Sequence, residues 1–249
     1  MSPFVVANPF PIAILTYHQI APTPPKGTPF RSLCVSPQAF ARQMAALKLL
    51  GFRGLSMAQL EPYLEGRLQG RVFGITLDDG YLNNLTHALP VLQRHGFSAT
   101  CYLVSGMLGQ SNLWDRDIGI PPAALMDAAQ VQQWLAGGQD IGAHSRHHTH
   151  LTQLQGAALD DEVRGSRAEL EALFERPVLH FCYPYGSFNQ ESENAAAAAG
   201  FRTSTTTRRG RVLAGQHRST ALPRVPVHRT TTLPALLWKM WTTYEDAKA

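Results

Sequence analysis

No stretch of this chain stays apolar for the roughly 18–20 residues that a membrane-spanning helix needs, which removes a helical membrane span from consideration. Charge of one sign is not concentrated either. The formal charge of +4 comes from scattered Lys and Arg. The densest basic spot, Arg208-Arg209-Gly210-Arg211, is too short for the stripe that nucleic-acid binders carry, so no nucleic-acid partner is expected. Cysteine is scarce: Cys34, Cys101 and Cys182 are odd in number and lack redox or metal-site spacing. Buried free thiols are therefore favoured over a disulfide scaffold. Met1 to Pro11 has no basic n-region of a secretory leader, and with the thiols this points to a cytoplasmic setting; a trimmed leader would instead mean an extracytoplasmic one. A linker is missing too, because the Pro- and Gly-rich stretch Ala21 to Phe30 lies too near the N-terminus to divide two cores. One domain over residues 1–249 is expected, its core running from Ile12 to Val227, and an apolar share of 44% suffices to fill it.

What is present is alternation. Residues 12–17, 72–77, 99–104, 140–143, 178–183 and 202–206 read as strands. Ser36-Pro37 offers an N-cap and a first-turn proline to a helix with Phe40, Met44, Leu47 and Leu50 on one face, and Gly51 stops it. Further helices are expected near 84–95, 131–136, 157–174 and 193–199. Strands alternating with helices build βαβ units around a parallel sheet. Seven or so such units suit a closed or nearly closed α/β barrel.

Catalytic groups of α/β barrels converge at the carboxyl ends of the strands. Four such ends here carry chemically capable residues. In Asp78-Asp79-Gly80 adjacent carboxylates point different ways, so one can hold a cation while the other faces substrate; an ordinary Asp-Gly turn is the competing reading. His144-Ser145-Arg146-His147-His148-Thr149-His150 packs four histidines behind one strand. His144 and His148 have the spacing of one side of a helical turn, with His147 and His150 as rivals. Two imidazoles plus a carboxylate would leave open coordination positions, the mark of a catalytic metal site. Tyr183-Pro184-Tyr185-Gly186 can wall a pocket with rings and present backbone N–H groups to an oxyanion. His18 ends the run Leu15-Thr16-Tyr17.

Taken in order, Leu77-Asp78-Asp79-Gly80, His144-Ser145-x-x-His148 and Tyr183-Pro184-Tyr185-Gly186 resemble the signatures of the polysaccharide deacetylase family, the NodB-like domains of carbohydrate esterase family 4. The resemblance implies a single distorted (β/α) barrel, usually of seven strands, with a divalent ion at the strand ends. Zn2+ is the first choice, with Co2+ or Ni2+ as alternatives. It implies Asp79, His144 and His148 as metal ligands, Asp78 as the catalytic base, and the Tyr185 N–H as oxyanion donor. Tyr183, Pro184 and Arg224 would contact substrate. His147 and His150 fall off the motif.

Two departures stand out. Cys182 occupies the place of an arginine that commonly orients the base, and Arg224, in Leu222-Pro223-Arg224-Val225, is a candidate substitute. The family's C-terminal Leu-x-His has only His228 as a weak counterpart, whereas Leu15-Thr16-Tyr17-His18 fits better. That order is similar to the biofilm poly-N-acetylglucosamine deacetylases, which makes His18 the expected proton donor. The implied activity is release of acetate from an N-acetylglucosamine-containing glycan. An amidase or deformylase acting on a small or lipid-linked C–N substrate, and an inactive glycan-binding relative, are the alternatives.

Overall fold

The structure, a computed structural model, describes residues 11–248. Met1–Phe10, read above for a leader, lies outside the described residues. Along the chain run strands β1 (Ile14–Tyr17), β2 (Gln19–Ile20), β3 (Cys34–Val35), β4 (Arg53–Leu55), β5 (Val72–Leu77), β6 (Thr100–Leu103), β7 (Asp140–Ala143), β8 (His180–Cys182), β9 (Thr203–Arg209) and β10 (Leu222–Pro226). The helices are α1 (Pro37–Leu49), α2 (Met57–Leu64), α3 (Leu89–His95), α4 (Ala128–Ala136), α5 (Gly156–Asp160), α6 (Ser166–Phe174), α7 (Gln190–Ala198) and α8 (Leu233–Trp241).

The main sheet is parallel, in the order β1-β10-β9-β8-β7-β6-β5-β4, and a further pairing of β1 with β5 closes it. Seven strands form the ring. The eighth, β4, pairs with β5 at Val72–Gly74, while β5 meets β6 directly only at Thr76 and Leu77. Ser98 at the foot of β6 donates its N–H to Gly54 of β4 at 3.0 Å. Thus β4 is a wedge at the amino-terminal end of the barrel, absent from the end where the strands finish.

Strands buried on both faces read as continuous apolar runs, and β5 (VFGITL) is buried throughout. Alternate residues serve two cores. Leu15, Tyr17, Phe73, Ile75 and Leu77 pack outward with Phe40, Met44 and Leu47 of α1. Ile14, Tyr102, Cys182 and Leu222 fall in a second cluster inside the ring. Gly142 makes room there, since a Cβ would come within 2.5 Å of the Tyr102 ring. In α1 the Ser36 side chain accepts from the Ala39 N–H, as the sequence suggests.

Differences have physical causes. The helix expected near 84–95 starts as a π stretch, Asn84–Ala88, before α3. The long helix over 156–174 is interrupted by a π turn at Asp161–Gly165. Two strands of the sheet escape the apolar-run reading: β4, outside the ring, has three residues, and β10 (LPRVP) carries two prolines, each removing a ladder donor. The apolar C-terminal run lies in α8, with Leu236 and Met240 buried on the barrel and Trp238 and Trp241 exposed. Among the described residues no helix is long and apolar enough to cross a membrane.

Candidate active site

The carboxyl ends of β1, β5, β7, β8 and β10 meet in one cavity of about 360 Å3, which His18, Asp78, Asp79, His144, His148, Tyr185 and Arg224 all line. Asp78 continues β5, donating its N–H to Tyr17 O at 2.9 Å, so its side chain turns into the barrel. Asp79 then adopts φ 74, which swings the second carboxylate toward β7.

There His144 Nε2 and His148 Nε2 stand 3.3 and 3.4 Å from the same atom, Asp79 Oδ1. Neither contact is aligned as a hydrogen bond, and Asp79 Oδ1 is buried without a partner. The three donor atoms all lie within 4.8 Å of one another. His144 Nδ1 is 2.7 Å from Cys182 O. Donation to that carbonyl fixes Nδ1 as a protonated nitrogen and leaves Nε2 as the atom that faces Asp79. Burial raises the Asp79 carboxyl, but the two histidines outweigh it and hold it well below the usual carboxylate range. Burial also pushes the His148 imidazole down, toward its neutral form. One carboxylate and two imidazoles are a donor set suited to Zn2+, and a cation among them would give Oδ1 the partner it lacks.

Arg224 reaches from β10 to Asp78 with two contacts of 2.8 Å, and Cys182 Sγ lies 3.3 Å from the same guanidinium. A cation from β10 thus faces Asp78, beside the Cys182 thiol. Burial raises the Asp78 carboxyl, but Arg224 and then His18 outweigh it, holding it below its ordinary value. His18 Nε2 is 3.9 Å from Asp78 Oδ2, on the cavity side. His228 is not among the cavity-lining residues; its N–H donates to Thr231 Oγ1.

The residues suggested for the substrate wall are placed unevenly. The guanidinium of Arg224 is committed to Asp78 and to Thr206 O rather than to the open cavity. Pro184 is buried, and the buried Tyr183 gives its hydroxyl to Thr220 O at 2.9 Å. Tyr185 keeps 38% exposure, with φ 58. His150 stacks on its ring at 3.9 Å. His147 Nδ1 lies 2.7 Å from Glu162 Oε1, away from the metal-type cluster. Two residues that the sequence reading missed sit in the 3-10 turn Leu113–Ile118. Trp114 stacks on His148 at 4.6 Å, and Asp115 accepts from the Tyr185 hydroxyl at 3.4 Å. Their only signal was an aromatic–acid pair in a polar stretch. Two apolar loops also line the cavity, one with Pro25, Pro29 and Phe30 and the other with Ile118, Ile120 and Pro121.

The profile of the polysaccharide deacetylase family matches residues 65–204, more than half of the chain. The YxkH protein of Bacillus subtilis (strain 168) is 25% identical over 205 residues, 82% of this chain and 67% of that protein. Among solved structures, the Streptococcus pyogenes deacetylase PplD in complex with acetate superposes with a TM-score of 0.82 at 23% identity, covering 94% of this chain and 100% of that one. IcaB from Ammonifex degensii does so with a TM-score of 0.78 at 22% identity, covering 94% and 98%. These structures share the barrel fold. The family match falls across the Asp78-Asp79, His144–His148 and Tyr183–Gly186 segments whose geometry is given above, and the chain belongs to the polysaccharide deacetylase family.

Proposed function

We propose that this chain is a metal-dependent hydrolase that removes N-acetyl groups from an N-acetylglucosamine-containing glycan and releases acetate. The observation that carries the reading is the buried, unpartnered Asp79 Oδ1 between two imidazole nitrogens, next to a second carboxylate held by Arg224. Asp79, His144 and His148 would hold the ion, for which Zn2+ fits the donor set. When bound, such an ion supplies Lewis acidity, polarising an acyl oxygen and making hydroxide accessible near neutral pH.

The chain's own groups do the rest. Asp78, kept ionised by Arg224, accepts the proton of the attacking water. His18, beside Asp78 on the cavity side, gives a proton to the departing amine. The Tyr185 N–H faces the developing oxyanion, a place where one lost donor typically costs about 10²–10³ in rate. The half-exposed Tyr185 lines the cavity and offers its ring to a sugar.

The apolar loops in the cavity lining also favour a second reading, a short or lipid-linked amide substrate. Acetate release from N-acetylglucosamine oligomers of increasing length, before and after metal stripping and Zn2+ return, separates the readings. The expected result is release that needs the metal and rises with chain length. Release indifferent to stripping removes the metal role. A rate highest on the monosaccharide or on a lipid glycoside favours the second reading, and no release from any of them removes both.

A further inference from the structure

Glu162 takes no part in the site described above, yet its buried carboxylate grips the loop that follows β7. One oxygen, Oε2, accepts the backbone N–H groups of Arg146 and His147, both at 3.0 Å. The other, Oε1, lies 2.7 Å from His147 Nδ1. Bonds to an ionised acceptor are shorter and stronger than neutral ones, so these three form a firm clamp. From the opposite side Ser105 N donates to Ser145 O at 3.1 Å and Gly106 N to Arg146 O at 2.9 Å. A Cβ on Gly106 would come within 2.8 Å of Arg146 O, so this approach is close.

The clamped loop has a backbone that needs holding. Ser145 sits at φ 61 and His148 at φ 57, left-handed conformations that L side chains disfavour. Glu162 itself lies in the π turn Asp161–Gly165, whose extra residue rotates the side chains after it relative to those before. Such turns cluster at functional sites.

We propose that Glu162 is a positioning residue: it holds the 145–148 backbone in its left-handed form, sets His148 Nε2 beside Asp79 Oδ1 before any ion arrives, and so governs the affinity of the site for a divalent cation. This rests on the reading that Asp79, His144 and His148 hold the ion. It also assigns a role to His147, the histidine off the motif: its ring and its N–H are two of the three handles on the loop. Pre-organised donors bind more tightly because less ordering remains to be done on binding.

The test uses the full chain stripped of metal and titrated with Zn2+ against a competing chelator, for the parent, Glu162→Ala, Glu162→Gln and the control Asp161→Ala. Asp161 pairs with the Arg146 side chain from the same π turn, but is exposed and touches no backbone of the loop. The expected result is a loss of zinc affinity of about 10- to 100-fold for Glu162→Ala and a smaller loss for Glu162→Gln, with Asp161→Ala within about twofold of the parent. Amide hydrogen exchange of the metal-free proteins should quicken at Arg146 and His147 in both Glu162 variants. Zinc affinity in either Glu162 variant within about twofold of the parent overturns the proposal. If Glu162→Ala does not fold, Glu162→Gln decides by the same criterion. If the parent itself binds no zinc, the ligand assignment fails, and the exchange measurement still judges the clamp: unchanged protection at Arg146 and His147 in Glu162→Gln refutes it.

Discussion

Replacing Arg224 with methionine would leave an apolar stem in the barrel and take away the cation facing Asp78. The side chains of both partners are almost wholly buried, at 2% and 3% exposure, and meet at 2.8 Å. Removing one member of such a pair leaves a buried charge uncompensated and costs about 3–5 kcal/mol. Against a total stability of about 5–15 kcal/mol that is a large share. The sign with pH follows from Asp78. In the parent its carboxyl is held below its ordinary value, so the pairing contributes stability above the unfolded pKa and loses it as pH falls through the lower folded one. In Arg224→Met the largest lowering influence is gone, while burial and the weaker pull of His18 and His144 stay, so the carboxyl rises from its parental position, and acid relieves the penalty by protonating it. The stability gap between parent and variant should be widest near neutrality and should narrow as pH falls. Urea unfolding of the metal-free proteins at neutral and mildly acidic pH measures this directly. A gap below about 1 kcal/mol at neutral pH, the worth of an ordinary hydrogen bond, or one that widens in acid, would refute the reasoning.

Asp79→Ala and His148→Ala should lose zinc and acetate release together, while Asp78→Asn should keep zinc and lose turnover; equilibrium dialysis beside an acetate assay checks both. His18→Ala should lower the rate by about 10²–10⁴ while leaving zinc retention unchanged; a variant that keeps the parental rate assigns the proton donor elsewhere. Gly186→Ala places a Cβ 2.0 Å from Thr207 Oγ1 at a φ of 67. It should cost about 1–3 kcal/mol or more in thermal or urea unfolding and reduce activity by displacing Tyr185; parent-like stability would contradict the packing described for this turn.

Much of this molecule could be read from residues alone, for reasons that differ by element. β5 and β7 keep the boundaries their apolar runs suggest, because parallel strands buried on both faces leave an unbroken signal. The Asp78-Asp79 pair and the His144–His148 spacing were legible since both sit in one continuous segment just past a strand. Choosing Asp79 over Asp78, and His148 over His147, needed family resemblance, because spacing is blind to a residue at φ 74 or φ 57. Arg224 was visible only as a suggestion: its partner lies 146 positions away, in a strand disguised by two prolines. Trp114 and Glu162 were not legible. The first comes from a loop without periodicity, and the second is aimed by a π turn that no residue pattern announces.

Asp79, Ser145, His148 and Tyr185 all hold left-handed backbones, as do several glycines nearby. Seen as a history of choices, these are positions where glycine would have relaxed the chain and a functional side chain was kept instead. Glycine there would relieve strain of about 1–3 kcal/mol per residue and add about 0.4–1 kcal/mol of unfolded-chain entropy, so each of these side chains is held against a local gain in stability. Among the described residues that strain sits in the turns after β5, β7 and β8 and in none of the strands, so the barrel bears its load without sharing the discomfort of its rim.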